Sequence, residues 1–196
     1  MTDAAGIEAS IRTDDVTEVQ RLLNVHGPEL ANRDLPGGAP PLFLAVACGS
    51  LRVAEALLAA GAVVDPAGDY AAIHVAAEGK PEALALLLSY GADPNRVQYD
   101  GKTPLHCAAE WPDNRRCIEL LVEAGAAVEP GKDSMAGLTP LGWAVGGDNP
   151  ENVACLLERG ADLFAKDAEG LTLFEIAETE GYREVLALLE RARQSR

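Results

Sequence analysis

The chain has 196 residues, of which 48% are hydrophobic and 24% charged, values typical of a globular protein. Its formal net charge of −15 argues against a nucleic-acid partner and against an anionic membrane surface, because both would repel it. The N-terminus lacks the pattern of a secretory signal, and no apolar stretch approaches the ~18 residues of a membrane span. We therefore expect a cytoplasmic protein.

The first 34 residues predict two helices. Ala4 to Arg12 forms the first, with Ile7 and Ile11 facing inward, and a second apolar face runs from Val16 to a stop near Gly27. Polar residues such as Glu8 and Ser10 stand where later helix pairs carry apolar or small residues. This pattern is typical of the capping end of a helical array.

A turn followed by a short helix then recurs along the chain. In the strongest copy, Asp100-Gly101 favours a turn, Thr103 is a suitable N-cap, and Pro104 suits the first helical position. One apolar column is spaced by 31, 32, 36 and 33 residues, at Leu42, Ile73, Leu105, Leu141 and Phe174. A Gly-Ala column, spaced by 30, 34 and 35 residues, begins at Gly61, Gly91, Gly125 and Gly160. Each unit therefore predicts a turn, a short helix, a tight link, a longer helix and a glycine stop.

This pattern resembles the ankyrin repeat, which has a period of ~33 residues and a T-P-L-H-x-A signature. The segment Thr103-Pro104-Leu105-His106-Cys107-Ala108 matches that signature at every specified position. The resemblance covers nearly the whole chain and implies an all-α solenoid of stacked antiparallel helix pairs joined by β-turn or hairpin-like loops. We expect a single domain over residues 1–196, with units at 1–34 (N-terminal cap), 35–65, 66–96, 97–129, 130–166 and 167–196 (C-terminal cap).

The resemblance also assigns structural roles to the motif residues. The family uses the motif histidine for hydrogen bonds that tie adjacent turns together, which implies this role for His74 and His106. The helix-start residues with a structural role are Thr103, Pro104, Leu105, Thr139 and Pro140. Two length increases, at Trp111-Pro112-Asp113-Asn114 and in the loop over 129–137, flank the same region, between the fourth and fifth units. Such insertions often lie on the binding face of repeat proteins.

Catalytic and metal-binding patterns are missing from the sequence. The three histidines and four cysteines show no triad or zinc-finger spacing, and the sequence contains no phosphate-binding loop. Cys107, Cys117 and Cys155 fall in apolar columns as small hydrophobic residues, and Cys48 lies near the end of a first helix. We expect no enzyme activity, no metal and no cofactor.

Ankyrin-like stacks bind other proteins through a concave surface made of loop tips and the exposed side of the first helices. Carried over position by position, this resemblance implies a partner-binding set: Asp69, Tyr70, Glu78, Tyr99, Asp100, Lys102, Glu110, Trp111, Asp133, Met135, Leu138, Glu169 and Glu180. Acidic residues dominate this set, and aromatic side chains are frequent interface anchors. We expect Trp143 in the core. Trp111 is either an interface anchor, which we favour, or a lid over the helix end beside Pro112.

The predicted function is a non-catalytic protein-interaction module. Its partner would be a basic protein held on an acidic, aromatic concave face, and the module would be a monomer when free. One specific version is a stoichiometric inhibitor or immunity protein, and the alternative is an adaptor or a secreted effector acting on a host protein. The negative charge either steers this encounter or only keeps the chain soluble. An enzyme or a purely structural scaffold fits less well.

Overall fold

The structure is a computed structural model that describes residues 3–68, 70–129 and 138–195. This part of the chain forms twelve α-helices and a short 3₁₀-helix, and its only β-pairing is an isolated bridge between Lys166 and Thr172. The predicted all-α class is confirmed. The helices are α1 (Asp3–Arg12), α2 (Val16–His26), α3 (Pro41–Cys48), α4 (Leu51–Ala59), α5 (Ala72–Ala77), α6 (Pro81–Ser89), α7 (Pro104–Glu110), α8 (Arg115–Glu123), α9 (Pro140–Gly146), α10 (Pro150–Glu158), α11 (Leu173–Glu180) and α12 (Arg183–Gln194).

The chain divides into two compact units. The first comprises Met1–Ala76 with Glu82–Asp93, and the second comprises Ala77–Pro81 with Pro94–Arg196. The expectation of a single domain with six units stays a prediction.

The first unit stacks helix pairs on one another. Helix α1 packs against α2 and α3, and α4 packs against α2 and α3. Ile7, Ile11 and Leu57 are fully buried in this core. The hydroxyl of Ser50 also donates to the carbonyl oxygen of Ile11 at 2.7 Å, so the first helix pair is joined to the second by a buried hydrogen bond. The 3₁₀-helix at Pro28–Asn32 was not predicted from the sequence.

The second unit repeats this arrangement. Among first helices, α9 packs against α7 and α11, and among second helices α10 packs against α8 and α12. Leu105 and Leu141 of the leucine column are fully buried. Phe174, the last member of that column, is half-buried, and the guanidinium of Arg193 lies 5.2 Å from its ring centroid.

Side chains in the loops tie neighbouring repeats together inside each unit. Each of these side chains accepts a hydrogen bond from a backbone N–H about one repeat further along the chain, at 2.7–2.9 Å. Two of them, Asn32 and Asn95, also donate to a glycine carbonyl in the next loop. The acceptor–donor pairs are Asn32–Val63 and Asp65–Asp93 in the first unit, and Asn95–Ala127 and Glu129–Asp162 in the second.

Leu105→Ala tests the buried leucine column. Removing a fully buried leucine leaves a cavity in the helix interface, so we expect a loss of roughly 2–5 kcal/mol in the free energy of unfolding. Urea unfolding of both proteins measures the loss. Leu171→Ala is the matched control, because Leu171 is 40% exposed and the same deletion should cost far less there. Equal unfolding midpoints for Leu105→Ala and the wild type would contradict the core assignment.

Glu129→Gln tests the acidic link between loops. Partial burial holds the pKa of Glu129 above its usual range, and the negative charge of Asp162 adds to this shift. The hydrogen bond from the Asp162 N–H acts in the opposite direction and lowers the pKa. Because the pKa is higher in the folded state, the folded protein loses relative stability as the pH rises through it. A glutamine at this position keeps an oxygen that can accept the Asp162 N–H and removes the negative charge.

We therefore expect a higher melting temperature for Glu129→Gln at pH 7 and a difference that disappears below about pH 4, where the unfolded carboxyl is also protonated. Glu123→Gln removes the same charge from an exposed position on α8 and serves as the control. A lower melting temperature for Glu129→Gln at pH 7 would refute this account of Glu129.

Candidate functional site

His106 fastens the start of α7 to the following repeat. Its Nδ1 accepts the N–H of Thr103 at 3.0 Å and lies 2.9 Å from the Thr103 hydroxyl. The ring proton therefore lies on Nε2, which donates to the carbonyl oxygen of Leu138 at 3.1 Å. Burial lowers the pKa of His106, although the Leu138 hydrogen bond opposes that shift, and a neutral ring matches these contacts. His74 is likewise buried, in α5.

The other motif residues lie at helix starts. Pro104 and Pro140 occupy the first positions of α7 and α9, each preceded by a threonine N-cap. The hydroxyl of Thr139 accepts the N–H of Gly142 at 3.2 Å. In the last repeat, Glu175 replaces the motif histidine, and its carboxylate accepts the N–H of Thr172 at 2.8 Å. That bond, and then the Thr172 hydroxyl, lower the pKa of Glu175.

Three carboxylates act on Cys107, a buried residue of α7. Burial raises the pKa of the Cys107 thiol to about 12, and the negative charge of Glu78 adds to this shift. Glu110 and Asp100 raise the pKa by smaller amounts, and the positive charge of Lys102 opposes them. All three carboxylates thus oppose ionisation of the Cys107 thiol. A thiol with so high a pKa stays protonated at neutral pH and is a poor nucleophile.

Lys102 lies within this acidic group. Its ammonium nitrogen is 2.9 Å from Glu110 Oε2 and 3.9 Å from the centroid of the Trp143 ring. The backbone N–H of Lys102 donates to Asp100 Oδ1 at 3.0 Å, which closes the turn before α7. The expectation that Trp143 is a core residue is wrong in part: its side chain is half-buried, and a cation covers its ring. The other repeats carry smaller apolar residues at the position of Trp143, so the sequence did not indicate that Lys102 would lie on its ring.

Trp111 follows the last residue of α7 and is 47% exposed. Its indole lies directly over Gly79, where an added Cβ would be 2.5 Å from Nε1. Gly79 also has a φ of +80°, so both its backbone and its neighbour require glycine. Trp111 therefore covers part of the α5–α6 link and still leaves almost half of its side chain accessible.

Three buried asparagines hold the backbone at the end of α7. Asn152 Nδ2 donates to the carbonyl oxygens of Trp111 at 2.7 Å and Ala109 at 3.1 Å, and its Oδ1 accepts the N–H of Asn114. Asn149 donates to the carbonyl of Glu110 at 3.0 Å. Sequence reasoning missed this network. The sequence feature that could have indicated the network is the asparagine that precedes both α8 and α10. Asparagine is also common at that position as an ordinary helix cap.

We use the name α7 patch for the set that the second unit gathers around this helix: Glu78, Tyr99, Asp100, Lys102, Glu110 and Trp111. Tyr99 is 77% exposed, in the loop before α7, and is the most exposed of the large apolar side chains described. Tyr99 and Trp111 thus present aromatic surface beside three carboxylates. The proposed binding role of these residues stays a prediction.

The remaining candidates are placed differently. Tyr70 belongs to the first unit, where it packs edge-on against Phe43 at 5.0 Å between ring centroids. Leu138 is half-buried, with its side chain against Gly142, and its main contribution is the carbonyl bonded to His106. Glu169 and Glu180 are exposed. Asp69, Asp133 and Met135 lie outside the described residues.

Several arginines lie on or next to the second helices of the second unit. Arg115 pairs with Glu158 at 2.6 Å and with Glu119 at 3.0 Å, and Arg159 approaches Glu119 at 3.5 Å. Arg115 and Glu158 are about half exposed, so their pair contributes little stability, whereas Glu119 and Arg159 are more covered.

In residues 3–68, 70–129 and 138–195, no group of three His, Cys, Asp or Glu residues could hold a metal ion. None of the helices in those ranges is both long and apolar enough to cross a bilayer.

Stacked helix pairs, threonine-capped first helices and exposed side chains at the loop tips define a helical repeat protein. Family models for ankyrin repeats match residues 59–132 as three copies and residues 136–168 as a further repeat. The chain belongs to the ankyrin repeat family, whose repeats are protein–protein interaction modules.

Curated relatives are much longer proteins. Human ankyrin repeat and SOCS box protein 6 is 35% identical over 64% of this chain and 32% of its own length. Human inversin is 29% identical over 85% of this chain and 16% of its own length. The chicken nuclear factor NF-kappa-B p105 subunit is 31% identical over 78% of this chain and 16% of its own length. The chain thus spans about a third or less of these relatives.

Solved structures match over nearly the full chain. An ankyrin repeat domain from Acinetobacter baumannii AYE superposes with a TM-score of 0.80 at 28% identity, covering 95% of this chain and 96% of that one. The ankyrin repeat domain of Bcl-3, described as a member of the IkappaB protein family, gives a TM-score of 0.82 at 28% identity, covering 96% and 86%.

Asn152→Ala tests the buried asparagine network. The substitution leaves the carbonyl of Trp111 and the N–H of Asn114 without their partner, and an unsatisfied buried group costs about 1–3 kcal/mol. We expect a loss of that size in urea unfolding, together with a shift in tryptophan emission. Asn24→Ala, on the exposed face of α2, is the control and should change neither observable. A wild-type unfolding curve for Asn152→Ala would show that the network is dispensable.

Proposed function

We propose that this chain binds a basic protein through the α7 patch. The observation that supports this most directly is the exposure of Tyr99 and Trp111 next to Glu78, Asp100 and Glu110. Aromatic side chains supply much of the binding free energy in protein interfaces, and a surrounding charge of one sign speeds the encounter with an oppositely charged partner.

The backbone supports this use of the patch. Glu110 and Trp111 follow one another at the end of α7, and buried asparagine side chains hold both of their carbonyls. Held this way, Trp111 loses less conformational freedom on binding than a side chain on a loose loop would. The acidic residues remain accessible to a partner, with Glu110 exposed and Asp100 partly so.

We further propose that binding is stoichiometric and inhibitory, as in an immunity protein that covers a positively charged functional surface. The support is the net charge of −15, which favours partners of opposite sign and disfavours nucleic acid. A cytoplasmic location is part of this proposal. An inhibitor must abolish the activity of its partner at a one-to-one ratio. An adaptor leaves that activity intact and joins the partner to a third protein.

Tyr99→Ala combined with Trp111→Ala tests the patch. We expect the double variant to lose at least ~2 kcal/mol of binding free energy for the natural partner, because both anchors are removed. The control is Tyr90→Ala combined with Phe164→Ala, which deletes two aromatic side chains of 45% and 58% exposure outside the patch.

All three proteins serve as baits in quantitative affinity capture from the native organism, at low and high salt. The partner is the protein that the wild type and the control retain and that the patch variant loses. High salt should reduce the amount of this protein that is captured. Calorimetry with the purified partner then gives the affinities. Equal capture by the wild type and the patch variant would exclude the α7 patch as the binding site.

A further inference from the structure

Lys102 is a cation held in a position suited to a ligand. Its ammonium lies 3.9 Å from the centroid of the Trp143 ring and 2.9 Å from a Glu110 carboxylate oxygen. An aromatic face combined with a carboxylate is an arrangement by which proteins bind organic cations. Glu78 and Asp100 add negative charge nearby, so carboxylates outnumber the single ammonium inside the α7 patch.

Packing alone does not account for Trp143. The same position in other repeats holds Leu44, Val75, Cys107 and Ile176, all smaller than an indole. In the described part of the chain its Nε1 is buried and has no hydrogen-bond partner. The charged group that contacts the indole is the Lys102 ammonium on its face.

The geometry of this site suits an arginine better than a lysine. The Glu110 side chain is 50% exposed, so its carboxylate is open to an incoming group, whereas the Lys102 side chain is only 21% exposed. A guanidinium is planar, stacks on an aromatic ring, and can engage a carboxylate with two N–H groups, which an ammonium on a flexible stem does not match. An arginine can therefore stack on the Trp143 ring and pair with the Glu110 carboxylate at two points, which Lys102 cannot do.

We propose that Lys102 occupies, in the free protein, a cation site formed by Trp143 and Glu110, and that an arginine side chain of the partner displaces it on binding. This proposal rests on the proposed function and names the chemistry of its partner. Lys102 then acts as an internal competitor, so that a single stray cation binds weakly and an arginine-rich segment binds in preference.

Lys102→Met removes the competitor and keeps the aliphatic stem. The probes are amidated hexa-arginine, hexalysine and hexaglutamate peptides, titrated at low ionic strength by calorimetry. We expect Lys102→Met to bind hexa-arginine about tenfold more tightly than the wild type, because one competing cation is gone from the ring and the carboxylate. The gain for hexalysine should be smaller, and hexaglutamate should not bind.

Lys166→Met is the matched charge control. It removes one lysine from an exposed position in the same unit, away from the α7 patch, and should give only the small general gain from a more negative protein. Trp143→Leu, combined with Lys102→Met, tests the ring. Leucine occurs in the same column at Leu44, so this variant should fold, which a thermal melt checks, and it should lose the gain in hexa-arginine affinity.

A gain for Lys102→Met no larger than that for Lys166→Met overturns the proposal, and so does a gain that survives Trp143→Leu. Equal gains for hexa-arginine and hexalysine overturn the assignment to arginine. The proposed function fails separately. If capture depends on Tyr99 and Trp111 while Lys102→Met has no specific effect, only the displacement is wrong. If the peptide results hold and no basic partner is captured, the proposed function is wrong.

Discussion

A helix pair of about 20 residues cannot bury its own apolar face, and every other feature of this protein depends on that constraint. Leu105 and Leu141 are fully buried because the first helices of neighbouring repeats pack against one another. Small residues such as Ala108 and Ala109, also fully buried, let those helices approach closely. Packing between neighbours therefore sets the spacing at which loop tips and helix ends are presented.

Polar links between repeats then refine this spacing. The loop acceptors from Asn32 to Glu129 each take an N–H from the following loop, and His106 reaches the carbonyl of Leu138. These bonds satisfy backbone groups that stacking would otherwise leave without partners. They also couple the position of each loop tip to its neighbour, so a binding surface assembled from several tips can be ordered before a partner arrives.

Several residues of the α7 patch contribute to both structure and surface chemistry. Asp100 accepts the N–H that closes the turn, Lys102 neutralises Glu110 and covers Trp143, and Trp111 packs over Gly79. Such dual use means that binding and stability must be measured together for any substitution here. It also explains why the patch is less negative than its list of acids suggests, since one of its carboxylates is already paired.

The sequence alone determined the helix pairs, their spacing, the threonine and proline starts, the buried leucine column and the three buried cysteines. These features follow from local propensity and from a period that repeats along the chain, so no knowledge of distant contacts was needed. The resemblance to the ankyrin repeat, carried over position by position, implied that Tyr99, Glu110 and Trp111 are exposed. Only the tertiary structure placed Lys102 on Trp143, buried Asn152 against the carbonyl of Trp111, and brought the carbonyl of Leu138 to His106. Those contacts join residues about 30 to 40 positions apart, where side-chain geometry rather than sequence pattern decides which groups meet.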